Sequence, residues 1–347
     1  MPAWWGTFGA KSAARAPLGI LGLMTWRRPL VLALTMVLIA CGNGPQPAKH
    51  SAAQPTPTPT PSKPAPALVQ VENLPEARPQ SGLQNADMVF EYLTEGGITR
   101  FSAIYLNPSG QQHVEPERSA RLVALRLVHS YGAVLFYSGA SDHVLGMIWD
   151  QKIANYDDRA DGGKYFARDG SRQAPHNLYT TPDQMAEAIK KSGKTVTYDL
   201  PARGEPAGPG DTAVNQVSFQ QTQSHSVAYA YDAGSKTYKY TGDGQVMTDA
   251  ANGGQPLQIA SVVLLQVPHH GAGYTEDVNG QEGIDFDLQG QGKADVYTRG
   301  QHYTATWDLS DPNQPLRLLG ASGQDLTLPS GLTWFSLIDP GTQITTG

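Results

Sequence analysis

Apolar positions in the first half of the chain alternate between short runs and helical spacing. Runs at 88–93, 101–106 and 133–137 predict strands, and the third is apolar throughout, as expected of a strand covered on both faces. Between the last two, residues 119–131 place leucines and valines on one broad face of a helix. Strands separated by helices predict a mixed α/β layer structure.

A second helix is indicated by its end signals. Thr181 is a predicted N-cap, Pro182 stands at the first helical position, and Gln184 completes a capping box. Ile189 points inward and Gly193 ends the helix. With the preceding strands, this helix completes a predicted mixed α/β domain over residues 68–200.

The pattern changes after Pro201 to repeated short strands separated by Gly, Asp and Asn turns. The predicted strands are 227–231, 237–240, 259–267, 294–297, 303–307 and 332–338. Asp243-Gly244 and Pro329-Ser330-Gly331 predict hairpin connections. The fold class predicted for the chain is therefore α+β or mixed α/β, with an N-terminal mixed domain followed by a smaller β-rich domain over 201–347.

The first 41 residues have the pattern of a bacterial lipoprotein signal peptide. Arg27 and Arg28 precede an apolar run of about a dozen residues, which is shorter than a bilayer span needs. The run ends in Leu38-Ile39-Ala40-Cys41, which resembles a lipobox, so we predict lipidation of Cys41 and an anchor on the extracytoplasmic face of the cell membrane. A buried free cysteine is the alternative. Translation is predicted to start at Met24, because a lipoprotein signal is normally short.

Residues 42–67 are rich in proline and threonine and contain few large apolar side chains. Such a segment cannot bury a core and favours extended geometry. We predict a disordered stalk between the anchor and the folded domains.

Composition excludes several classes of functional site. One cysteine excludes an internal disulfide framework and a multi-cysteine zinc site, and 31 acidic residues against 25 basic ones argue against nucleic-acid binding. Phosphate-loop, dinucleotide and paired-histidine zinc patterns do not occur in the sequence. Asp277, Asp285, Asp287 and Asp295 could bind a cation, but turn chemistry explains them more simply. No cofactor and no metal site is predicted.

Three strings carry a resemblance to a known family. They are Arg78-Pro79-Gln80-Ser81-Gly82-Leu83, Ala86-Asp87-Met88-Val89-Phe90-Glu91 and Glu95-Gly96-Gly97-Ile98-Thr99-Arg100-Phe101. Arg118-Ser119-Ala120-Arg121 and Pro175-His176-Asn177-Leu178-Tyr179 follow in the same order. With these motifs the chain resembles the YerB-type lipoprotein family. The resemblance implies an anchored envelope protein with an N-terminal mixed domain and a β-rich C-terminal domain, and it supplies no reaction.

Arginines at the predicted start of the first helix form one candidate site. Arg118 and Arg121 are three residues apart, and positive charge there opposes the helix dipole unless an anion is near. We expect them to share a polar site with Glu95 and Arg100. The site either binds an anion or is an internal ion-pair network with Glu95, Glu115 and Glu117.

The loop before Thr181 forms the second candidate site, with Arg168, Asp169, Arg172, His176 and Asn177. His176 could act as a general base or a ligand, and Asn177 could orient a substrate group. The alternative is a loop that only satisfies its own backbone.

Three functions remain open from the sequence, and whether the protein is an enzyme stays undecided. The first is binding of an anionic or sugar-bearing envelope ligand, with a cell-wall component or an anion as the partner. The second is an envelope hydrolase that uses Glu91, Glu95 or Asp169 together with His176. The third is a structural or scaffold lipoprotein.

Overall fold

The computed structural model describes residues 61–160, 162–200 and 203–347, and these contain 14 longer strands. The strands are β1 Ala67–Glu72, β2 Met88–Leu93, β3 Thr99–Tyr105, β4 Val134–Tyr137, β5 Asn155–Asp157, β6 Gln216–Thr222, β7 His225–Asp232, β8 Thr237–Gly242, β9 Ile259–Gln266, β10 His269–Thr275, β11 Glu282–Phe286, β12 Gly290–Thr298, β13 Gln301–Leu309 and β14 Leu332–Ile338.

The α-helices of the described residues all lie before residue 193, and short elements link the longer ones. The helices are α1 Leu122–Tyr131, α2 Asp142–Asp150 and α3 Pro182–Ser192. The 3-10 turns are Pro75–Ala77, Leu83–Asn85, Glu95–Gly97, Gly163–Tyr165 and Ala250–Asn252. The short strands are Lys63–Pro64, Ala167–Arg168, Leu178–Tyr179, Thr195–Val196, Thr212–Ala213, Gln245–Val246, Thr248–Asp249, Gln255–Pro256, Arg317–Leu319 and Thr345–Thr346.

One large sheet joins the two predicted domains. Its central path runs β6-β7-β8-β9-β14-β2-β3-β1-β4-β5, and β12 branches from β9 to pair with β13. The late strand β14 lies between β9 and β2 and is parallel to both. All described residues belong to one compact unit, while the predicted boundary near residue 200 stays a prediction.

Both faces of this sheet are apolar. Alternate residues of a strand point to opposite faces, so Val89 packs in the same core as α3, whereas Phe90 packs in the core that contains α1 and α2. Phe90 stacks on Phe335 of β14 at a ring separation of 4.4 Å. The run Val134–Tyr137 is buried throughout, as its uniformly apolar sequence predicts.

The structure is richer in sheet than the predicted mixed α/β class, so that prediction is only loosely supported. The six strands predicted after Pro201 are all present, and β6, β10 and β11 add to them. Asp243 and Gly244 form the predicted hairpin turn, both with positive φ. The predicted hairpin at 329–331 is wrong, because β14 leaves that turn to run parallel to its neighbours.

Helix α3 is confirmed in detail. The Thr181 hydroxyl accepts a hydrogen bond from the Gln184 amide, and Gly193 ends the helix in the left-handed conformation. Helix α1 begins at Leu122, three residues later than predicted, because Arg121 is still extended at φ −133° and ψ 165°. The Arg118 amide instead donates to the Gln70 carbonyl, so Arg118 and Arg121 do not share a helix face.

The predicted signal peptide, Cys41 and Met24 lie outside the described residues. The predicted stalk 42–67 ends too late, because Lys63–Pro64 pairs with Thr195–Val196 and Ala65 and Ala67 are buried in the core. The folded part therefore begins a few residues earlier than the proline content indicates. None of the helices within the described ranges is long and apolar enough to cross a membrane.

Candidate functional site

An open cleft of about 520 Å³ lies beside the segment that follows β1 in the chain. Its walls include Arg78, Glu115 and the loop 169–176, with Ala250 contributed by the second half of the chain. Three cis peptide bonds lie in or next to these walls, at Arg78-Pro79, Glu115-Pro116 and Ala174-Pro175. Turns and a short 3-10 helix at Pro75–Ala77, rather than α-helices, present the polar side chains.

Arg172 holds two walls of the cleft together. Its Nη1 donates to the Pro79 carbonyl at 3.0 Å and lies 3.3 Å from Glu115 Oε1, and its Nη2 donates to the Ala77 carbonyl. Burial raises the pKa of Glu115, and the Arg172 charge offsets only part of that effect. The Arg172 guanidinium is consequently already hydrogen-bonded to groups of the protein.

His176, on the same loop as Arg172, lines the cleft and is oriented by Glu72. Its Nδ1 lies 2.7 Å from Glu72 Oε2, while Arg118 Nε lies 2.8 Å from Glu72 Oε1. Glu72 is buried at the end of β1, and the Arg118 and His176 side chains are partly exposed. Arg118 pairs with one oxygen of this buried carboxylate and His176 with the other, so Glu72 already has a partner for each oxygen within the protein.

Behind the loop, Arg168 and Asn177 form a scaffold for Asp169. Arg168 Nη1 donates to Asn177 Oδ1 at 2.9 Å, and the Asp169 amide donates to the Asn177 carbonyl at 2.8 Å. Hydrogen bonds from the hydroxyl and amide of Ser171 lower the pKa of Asp169. Asp169 therefore presents an ionised carboxylate at the cleft, with its Oδ2 at 3.9 Å from His113 Nδ1.

Glu95, Arg100 and Arg121 form a separate, buried cluster. Arg121 makes a two-pronged hydrogen bond with Glu95, with Nε at 2.8 Å from Oε2, and its Nη1 lies 3.3 Å from Glu276 Oε1. Burial acts to raise the pKa of Glu95, but the hydrogen bond and charge of Arg121 outweigh it and lower the value. Burial and then the Arg121 charge lower the pKa of Arg100 to about 10. This cluster has the form of an ion-pair network.

The structure thus divides the nine predicted site residues. Asp169, Arg172 and His176 line the cleft, Arg168 and Asn177 support it, and Arg118 reaches it through His176 at 3.2 Å. Glu95, Arg100 and Arg121 are buried away from solvent. Glu91, the other acid considered for a hydrolase, is fully buried and accepts hydrogen bonds from Thr99, Tyr240 and Trp334.

The four aspartates of the second half, considered above for a cation, bind separate partners. Asp285 pairs with Arg126, and Asp277 accepts from amides of its own turn. Asp295 lies 2.9 Å from His302, and Asp287 lies 3.8 Å from His270. Partners within the protein therefore account for the positions of all four carboxylates.

Three residues of these clusters were not singled out from the sequence, namely Glu72, His113 and Glu276. His113 and Glu115 stand two apart in an extended segment, a spacing that places both side chains on one side and could have drawn attention to them. Glu276 carries no such signal, because it meets Arg121 only through the tertiary pairing of the two halves.

Known proteins share both halves of the chain. Residues 53–195 match the N-terminal domain, and residues 215–335 the C-terminal domain, of the family described as protein of unknown function DUF3048. The chain is 30% identical over 288 residues to the protein named "Putative lipoprotein YerB" of Bacillus subtilis (strain 168), covering 78% of this chain and 80% of that protein.

A solved structure agrees. The crystal structure of the YerB protein from Bacillus subtilis has a TM-score of 0.64 and 26% identity, and the match covers 81% of this chain and 93% of that one. The resemblance that the sequence motifs predict is confirmed: the chain belongs to the YerB-type family of DUF3048 proteins.

Proposed function

We propose that this protein is a lipid-anchored envelope protein that binds a sugar-bearing ligand in the cleft beside Asp169, Arg172 and His176. The open cleft of about 520 Å³ is the observation that carries the proposal. The lipobox at Cys41 and the lipoprotein name of the Bacillus relative support the anchor and the extracytoplasmic location.

The charges around the cleft favour hydroxyl groups over an anion. Arg172 already donates to two carbonyls, and Arg118 is paired with Glu72. Asp169 and His176 line the cleft, where the carboxylate can accept from sugar hydroxyls and the imidazole ring can exchange hydrogen bonds with them. A saccharide needs such a mixture of donors and acceptors on a concave wall.

Calorimetric titration of the full chain in detergent with soluble cell-wall glycan fragments tests the proposal. We expect saturable binding that Asp169→Asn weakens by about tenfold, because a hydrogen bond to a charged group contributes about 1.5–3 kcal/mol. Asp277→Asn is the matched control, since Asp277 caps its own turn in a similar way away from the cleft. Binding of sulfate or phosphate in place of glycans would refute the sugar assignment, and binding of neither would favour a scaffold.

A hydrolase would use the same cleft. The short contact between His176 and Glu72 resembles a base held by an orienting carboxylate. Release of reducing sugar ends during the same titration, abolished by His176→Gln, would favour that second function.

A further inference from the structure

Three metal-binding side chains from two segments meet beside the cleft, and two of them, Glu115 and Asp169, line it. His113 Nδ1 lies 3.8 Å from Glu115 Oε1 and 3.9 Å from Asp169 Oδ2. One ligand atom from each residue lies within 4.8 Å of the others. In the described part of the chain this is the sole group of three such residues that meets this distance.

Hydrogen bonds restrain two of the three residues, Glu115 at its main chain and Asp169 at its side chain. Glu115 pairs with Ser81 through two backbone hydrogen bonds of 3.0 and 3.2 Å. Asp169 Oδ1 accepts from both the amide and the hydroxyl of Ser171 at 2.7 Å, which directs Oδ2 to His113. Preorganised ligands reduce the conformational entropy that binding would otherwise cost.

The third side chain is free to adjust. The His113 ring stacks on Tyr179 at 3.6 Å, and its side chain is 37% exposed. Ligand atoms around a tetrahedral zinc ion are about 3.3–3.5 Å apart. A small movement of the ring therefore closes the distances to Glu115 and Asp169.

The second oxygen of Glu115 is buried and unpartnered. The Glu115 side chain is only 4% exposed and lines the cleft. Its Oε1, the atom nearest His113, lies 3.3 Å from Arg172 Nη1, whereas its Oε2 has no hydrogen-bond partner among the described residues. A buried polar atom without a partner is costly, and a bound cation would satisfy it.

Charge around these side chains is unbalanced. Two carboxylates face one guanidinium, that of Arg172, which is also held by backbone carbonyls and can stay in place if Glu115 binds a cation. This group therefore carries a net charge of about −1 without a ligand, which favours a bound cation.

We propose that His113, Glu115 and Asp169 bind a zinc ion, with its remaining position open to the cleft. One imidazole nitrogen and two carboxylates suit Zn²⁺, whereas Ca²⁺ takes six to eight oxygen ligands. Three protein ligands and an open position are the arrangement of zinc sites that bind an exchangeable water or ligand. The inference does not depend on sugar binding, since it is tested with the metal alone.

The test is titration of Zn²⁺ into the chelator-treated full chain, followed by calorimetry and by metal analysis after dialysis. We expect one ion per chain, and His113→Gln and Glu115→Gln should each weaken binding by at least about tenfold. Co²⁺ in place of Zn²⁺ should give visible absorption typical of four-coordinate cobalt, lost in the same variants. Circular dichroism shows whether each variant is folded. If Glu115→Gln does not fold, His113→Gln still provides the test, because His113 is partly exposed.

His302→Gln is the matched control, because His302 lies 2.9 Å from Asp295 and 3.8 Å from Asp211 in a second histidine and aspartate group. It should leave zinc binding unchanged. No binding by the wild-type chain, equal binding by the His113 variant, or loss of binding only in His302→Gln would each overturn the proposal.

Discussion

Arg121 is the residue whose replacement best tests the energetics of the buried cluster. Removing the guanidinium in Arg121→Gln leaves Glu95 and Glu276 without their cation, and both carboxylates are almost inaccessible to water. Breaking a buried ion pair by removing one partner costs about 3–5 kcal/mol. We therefore expect Arg121→Gln to lower the free energy of unfolding by about that amount.

Arg126→Gln is the matched control for this prediction. Arg126 also joins the two halves, through Asp285 at 2.7 Å, but the Arg126 side chain is 35% exposed. Exposed pairs contribute about 0–1 kcal/mol, so this change should have a small effect.

Urea unfolding of fragment 58–347, followed by the fluorescence of the buried Trp307 and Trp334, measures both variants by linear extrapolation. The double variant Arg121→Gln with Glu95→Gln should be more stable than Arg121→Gln alone, because the buried Glu95 carboxylate that has lost its cation is then also removed. Equal losses below about 1 kcal/mol for Arg121→Gln and Arg126→Gln would refute the reasoning.

Three further predictions concern other parts of the chain. Burial acts to lower the pKa of His225, but hydrogen bonds and charges from Glu91 and Asp243 outweigh burial and raise the pKa. The stability that His225 contributes is therefore fully present below its unfolded pKa of about 6.5. This contribution is lost as the pH rises through the folded pKa. Urea unfolding should show wild type losing more stability between about pH 6 and pH 9 than His225→Gln, and equal losses would contradict this. Gly82→Ala should lower the free energy of unfolding more than Gly96→Ala in the same assay. Both glycines have positive φ, and placing alanine at such a φ costs about 1 kcal/mol. Only at Gly82 would the added Cβ also clash, because it would lie 2.6 Å from the His113 carbonyl oxygen. Cys41→Ser should release the protein from membranes, and retention under a carbonate wash would contradict lipidation.

Local signals predicted local structure well. Val134–Tyr137 is four apolar residues and is buried on both sides, and Thr181 with Gly193 sets the limits of α3. Strand β6, with the sequence Gln-Val-Ser-Phe-Gln-Gln-Thr, has only two large apolar residues, and its pairing with β7 defines it as a strand. Weak patterns of this kind become strands through their neighbours.

The candidate site was predicted where its residues share a loop. Asp169, Arg172 and His176 lie within eight residues of one another, so their convergence follows from sequence proximity. The partners Glu72 and Glu276 are more than 100 residues from His176 and Arg121, and only the folded sheet brings them together. The orientation of the Arg121 side chain could not be predicted either, because it depends on the residue at which α1 begins.

The position of β14 has a consequence for the order in which the protein can be made. Strand β2 has its place beside β14 filled only after residues 332–338 have been synthesised, more than 230 residues after β2 itself. Until then the nascent chain presents one open, apolar strand edge, which is a template for mispairing. That edge must be protected across the whole interval between the synthesis of the two strands.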